Sequence, residues 1–183
     1  LWIGYFAVPT GTPTFTDVAT LQSTALGELR QIGVYFISSA FATAQVTALQ
    51  AVVSTLQNEY KYTSVLYGGD ISGVSNLSTL SDLTALTAPQ VSVCIGQDGA
   101  GKGKALFTSK AYSITDLGAK LGAVAAAKVN ESISWLERFN MVTDGTEFDT
   151  AAFANGDSYT SLSSTLVNAI DTKGYLFLYK ESG

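Results

Sequence analysis

Histidine is absent from the 183 residues, and cysteine and methionine occur once each, as Cys94 and Met141. Without histidine no Ser-His-Asp or Cys-His site can be built, and the commonest general base and metal ligand is missing. Cys94 lies in the apolar run VSVCI, with no imidazole in the chain to activate it, and reads as an inert buried thiol. One cysteine cannot close an intramolecular disulfide, so cysteine usage gives no sign of an oxidising compartment and favours the cytoplasm. Charge is also scarce: 14% of residues are charged, with a net charge of −5. Lysines gather only around Lys102, Lys104 and Lys110, so nucleic acid is not an expected partner. No run reaches the ~18 apolar residues of a membrane span. Membrane insertion is therefore not expected, and the N-terminus lacks the basic start and cleavage site of a signal peptide.

What is present is a hydrophobic fraction of 46% arranged in an alternating order of elements. The run LWIGYFAV, residues 1–8, is apolar almost throughout, as in a strand covered on both faces, and Pro9, Gly11 and Pro13 end it. A helix is predicted from Thr16, with Val18, Leu21, Ala25 and Leu29 on one face, then a second strand over Ile32–Ile37. A second helix follows, with Val46, Leu49, Val53, Leu56 and Tyr60 on one stripe, and then a third strand, SVLY. Leu77, Leu80, Leu83 and Leu86 recur every three residues, which suits a short tight helix, and after Pro89 the run QVSVCI is the fourth strand.

The last third carries a helix from Ser113, a strand-like ISWLERF, a helix with Tyr159, Leu162, Leu166 and Ile170 on one face, and a final strand GYLFLY. The alternation predicts one α/β domain over residues 1–183, an open, mostly parallel sheet of about five to six strands with helices on both faces.

The loop GQDGAGKGK after the fourth strand tests the idea of a phosphate site. Gly96, Gly101 and Lys102 fit the G-x-x-x-x-G-K part of a phosphate-binding loop. Gly103 stands where a Ser or Thr hydroxyl would hold Mg²⁺, Asp98 adds an anion, and no helix start follows. A flexible turn is the preferred reading, with a degenerate nucleotide or phosphate site as the alternative. Asp70 and Asp98 follow strands at the edge where α/β sheets bind ligands and could share a Mg²⁺ or act as an acid/base pair, yet acidic residues are ordinary turn formers there. No G-x-S-x-G elbow and no G-x-G-x-x-G fingerprint occurs, and Asn76 and Asn130, in Asn-x-Ser/Thr contexts, carry no weight without a secretory signal. No catalytic residue, metal site or cofactor is expected.

The segment Ser113–Asn140, SITDLGAKLGAVAAAKVNESISWLERFN, carries the most information. Ser113 is a plausible N-cap with Asp116 three residues on. Leu117, Leu121 and Val124 recur at helical spacing among Gly118, Gly122 and several alanines, a composition that would let another backbone approach closely. The run AKVNESISW that follows resembles contractile tail sheath proteins of phages and phage-like injection machines. In that family a small-residue helix ends in Ala-Arg/Lys-x-Asp/Asn and a Trp-bearing strand follows; Ala127, Lys128, Asn130 and Trp135 match those roles. Val91–Asp98, the closing NAIDTKGYLFLYK (168–180) and FANG (153–156) also resemble the family, the last its divergent phage and prophage branch. The likeness runs from Val91 onward. LERFN lacks the Pro-bearing segment of the better-known sheaths, and LFLYK replaces their Trp-Gly-Ala-Arg type of final strand.

The resemblance implies a structural subunit that polymerises helically with copies of itself around a tail tube protein and contracts to drive the tube into a target cell. It implies residence in the virion's tail sheath after assembly in the bacterial cytoplasm, with terminal arms that add strands to neighbouring subunits. The chain starts inside a strand-like run at Leu1, and the expectation is a core domain excised from a longer subunit.

Overall fold

A computed structural model of the chain describes residues 31–35, 40–69, 71, 74, 77–95, 117–128, 131 and 163–177. Its frame is a parallel sheet of β1 (Gln31–Tyr35), β2 (Ser64–Gly68) and β3 (Val91–Cys94), in that order across the sheet. Ile32, Val65 and Val91 stand in one row, and Val34, Tyr67 and Val93 in another. Beside β3, on the side away from β2, the closing segment adds one parallel bridge from Leu176 to Cys94. Leu176 N–H donates to Val93 O at 2.8 Å, and Leu176 O accepts from Ile95 N–H at 2.9 Å.

Both faces of the sheet are covered. Helix α1 (Thr43–Asn58) turns Val46, Leu49 and Val53 onto the face of Ile32, Val34, Val65, Tyr67 and Val93. Helix α2 (Leu117–Ala126) lies on the other face, where Leu117 packs with Leu66 and Cys94 and Leu121 adds to that cluster. Helix α3 (Ser164–Asp171) returns to the α1 face through the fully buried Ile170. The chain is therefore α/β, with a parallel sheet between helices. Among the described residues the sheet has three strands plus the Leu176 bridge, fewer than the five to six expected. The expected strands at 1–8 and 133–139, the helix from Thr16, and Ser113 and Asp116 lie outside the described residues.

Helix α1 starts at Ala42, whose N–H donates to Gln45 Oε1 at 2.8 Å. It ends in a Schellman arrangement: Lys61 N–H reaches Leu56 O at 2.9 Å and Tyr60 N–H reaches Gln57 O at 2.9 Å. Tyr60 occupies the left-handed position of that motif, φ 62°, and is 82% exposed. The expectation that Tyr60 continues the buried stripe is thus corrected, because the left-handed turn swings it off the helix.

The every-third leucines open on a short 3₁₀ turn, Leu77–Thr79, as expected of a short or tight helix, with Leu80, Leu83 and Leu86 following it outside the turn. The closing segment straps the rest of that connection. The Lys173 ammonium donates to the carbonyls of Ser78 and, at 2.6 Å, Leu80, and Tyr175 OH donates to Ser81 O at 2.7 Å. Gly174 turns the chain from α3 into the bridge with φ +81°, a conformation open to glycine at little cost.

Close approach between helix and sheet occurs, but at a different residue from the one expected. A Cβ on Gly33 of β1 would stand 3.0 Å from Leu121 Cδ2 and 3.6 Å from Leu117 Cδ2. Gly118 and Gly122 are exposed, and a Cβ on either would meet nothing within 4 Å. The strand glycine, and not the helix glycines, lets α2 sit close.

Candidate functional sites at the two edges of the sheet

The carboxyl edge of a parallel sheet is the usual place for a ligand. Here Asp70, Asp98, Gly96, Gly101 and Lys102 all lie outside the described residues, so the structure does not bring them together. The described part of this edge is filled. Phe41 lies 6.1 Å from the Tyr67 ring and meets Tyr175 edge-on at 5.8 Å, centroid to centroid. Tyr67 OH donates to Gln45 Oε1 at 2.5 Å. Burial, with a further push from the Asp82 charge, drives the Tyr175 phenol well above the usual tyrosine range. The Thr84 hydroxyl and N–H, helped by Lys173, hold the exposed Asp82 carboxyl below its ordinary value.

Lys120 is the residue that reading the chain missed. Its side chain stands on the buried stripe of α2 with Leu117 and Leu121 and is 5% exposed. The ammonium donates to Ile95 O at 3.1 Å and Leu176 O at 3.4 Å, holding β3's exit and the closing segment under one cation. A lysine three residues after one apolar stripe position and one before the next was the available signal.

At the family-like run, Ala127 and Lys128 follow α2 directly, while Asn130 and Trp135 are outside the described residues. Glu131 shapes this turn: its carboxylate accepts Lys128 N–H at 3.1 Å, and its own N–H donates to Lys128 O at 2.9 Å. Cys94 is buried, with Sγ 3.5 Å from Tyr67 O. Among the described residues no group of three or more acidic or cysteine side chains could hold a metal ion, and no helix is long and apolar enough to cross a membrane.

The amino edge is different. A shallow cavity of about 230 Å³ opens there, lined by Gln57, Tyr62, Thr63, Ser64 and Gln90. Behind it runs a chain of amides. Gln50, buried on α1, donates to Ser54 Oγ at 3.0 Å and to Gln90 Oε1, and accepts Gln90 N–H at 3.1 Å. Gln90 Nε2 then donates to Gln57 Oε1 at 2.7 Å.

A family model described as "DUF2586, N-terminal domain" matches residues 7–180. The chain belongs to the DUF2586 family. The match takes in β1 to β3, α1 to α3, the AKVNESISW run and the closing bridge in one span. No curated protein and no solved structure matches the chain.

Proposed function

We propose that this DUF2586 domain is the core of a contractile tail sheath subunit of a phage or phage-like injection machine. It polymerises helically with copies of itself around a tail tube, and its contraction drives the tube into the target cell. The observation that carries the reading is the run Ala127–Trp135 after a small-residue helix, combined with a chain end of helix, Gly turn and strand. In the fold this end is α3, the left-handed Gly174 and the Leu176 bridge. Lys120 then ties the end to α2, and Lys173 and Tyr175 tie it to the 78–81 connection. Such ties suit a body that must move as a unit while its neighbours change packing.

On this reading the sheet reaches five to six strands, with residues 1–8 and 133–139 supplying the others, and residues 1–183 form one domain of a longer subunit. Its interfaces are head-to-tail and do not close, as a helical assembly requires. No catalytic residue, metal or cofactor takes part, and the protein resides in the tail sheath after assembly in the bacterial cytoplasm. Electron microscopy of the full-length subunit with its tube partner tests the proposal. Tubes or stacked rings are expected; dispersed particles under all assembly conditions would overturn it.

A further inference from the structure

We infer that the cleft at the amino edge of the sheet is a binding site for a neutral saccharide ring. Three features of the cleft point to this class of ligand, and none depends on the sheath reading. First, its lining is aromatic, amide and hydroxyl, from Tyr62, Gln57, Gln90, Thr63 and Ser64, with no charged side chain among the described residues. The nearby Lys61 ammonium is occupied by Glu59 at 2.7 Å. A charged ligand would find no counter-charge in the lining, whereas a polyol would find donors and acceptors.

Second, the amides are oriented in series. Gln50 donates to Gln90 and Gln90 donates to Gln57, so each amide polarises the next and all point the same way. The chain ends on Gln57, which lines the cleft and whose Nε2 makes no hydrogen bond to the described residues. The buried Gln50, held by Ser54 and by Gln90 N–H, fixes the series from behind. The donor's orientation is set before any ligand arrives, which reduces the ordering cost of binding.

Third, the Tyr62 ring is 58% exposed in the lining. Its face is a platform for the C–H face of a pyranose, while the ring hydroxyls meet the amides and hydroxyls around it. Two residues earlier, Tyr60 holds a left-handed backbone where glycine is usual and stands 82% exposed. Strain retained in an exposed aromatic segment belongs with a functional surface more readily than with a core. A cavity of about 230 Å³ falls below the size of a drug-like pocket and suits one ring, not an extended chain.

Titration of the ¹⁵N-labelled full chain with glucose and with N-acetylglucosamine, against glycerol as the control polyol, tests the site. Saturable shifts are expected at the amides of Gln57, Tyr62, Thr63, Ser64 and Gln90, with a dissociation constant of roughly 1 mM for at least one sugar. Tyr62→Ala should weaken binding roughly tenfold through loss of the stacking face, without moving the thermal midpoint. Gln57→Ala, also exposed, should weaken it as well and separates the amide from the ring. No saturable shift from either sugar, equal shifts from glycerol, or shifts untouched by Tyr62→Ala would each overturn the inference.

Discussion

The same three strands are packed by different means on their two faces. On the α1 face, large side chains fill the space: Leu49, Val53, Tyr67 and Ile170 are all fully buried, and α1, α3 and the 77–90 connection contribute to one continuous cluster. On the α2 face the described residues form a smaller cluster, Leu66, Cys94 and Leu117 with Leu121 beside them, and the helix sits close because Gly33 has no side chain. On that face a buried lysine also binds backbone carbonyls, Lys120 on Ile95 and Leu176. One face is held by volume, the other by proximity and a polar tie.

The largest effect expected is on the first face. Leu49→Ala should destabilise the fold by about 2–5 kcal/mol, since the side chain is fully enclosed and the rigid sheet behind it cannot collapse into the gap. Chemical denaturation measures it, and a loss under 1 kcal/mol would show that the cluster is looser than its burial implies. Next comes the polar tie. Lys120→Met keeps much of the apolar stem but removes the donor from Ile95 O, while Leu176 O keeps Ile95 N–H, and should cost about 1–3 kcal/mol by the same measurement. An unchanged stability would mean that apolar packing alone holds α2 and would erase the contrast between the faces.

The elements most legible in the sequence are those of the first face. The stripe Val46, Leu49, Val53, Leu56 marks α1 within a few residues, and the apolar runs mark β1, β2 and β3, because a surface buried on both sides leaves a continuous hydrophobic signature. Tyr60 was misread because periodicity alone continues through it. The Schellman turn that ejects it normally carries glycine or asparagine, and neither is there to signal the stop.

The second face was harder to read. Gly118 and Gly122 look like contact residues in a list of small side chains, yet whether a glycine faces a neighbour depends on helix rotation, which Leu117, Lys120 and Leu121 set. Gly33, the residue that matters, looks like an interruption of a strand. The sites were less legible still. The amino-edge cleft draws Gln57 from α1, Tyr62 to Ser64 from the entry to β2, and Gln90 from the entry to β3, residues far apart along the chain that only the strand register collects.

The contrast between the faces is tested most directly by thermal unfolding of Gly33→Ala beside Gly118→Ala. The new methyl at Gly33 would press on Leu121 and should lower stability by about 1 kcal/mol. The new methyl at Gly118 meets open space in the first turn of α2 and should raise stability by about 0.5–1 kcal/mol. Opposite signs are the predicted result; a loss at Gly118 with no change at Gly33 would contradict the account.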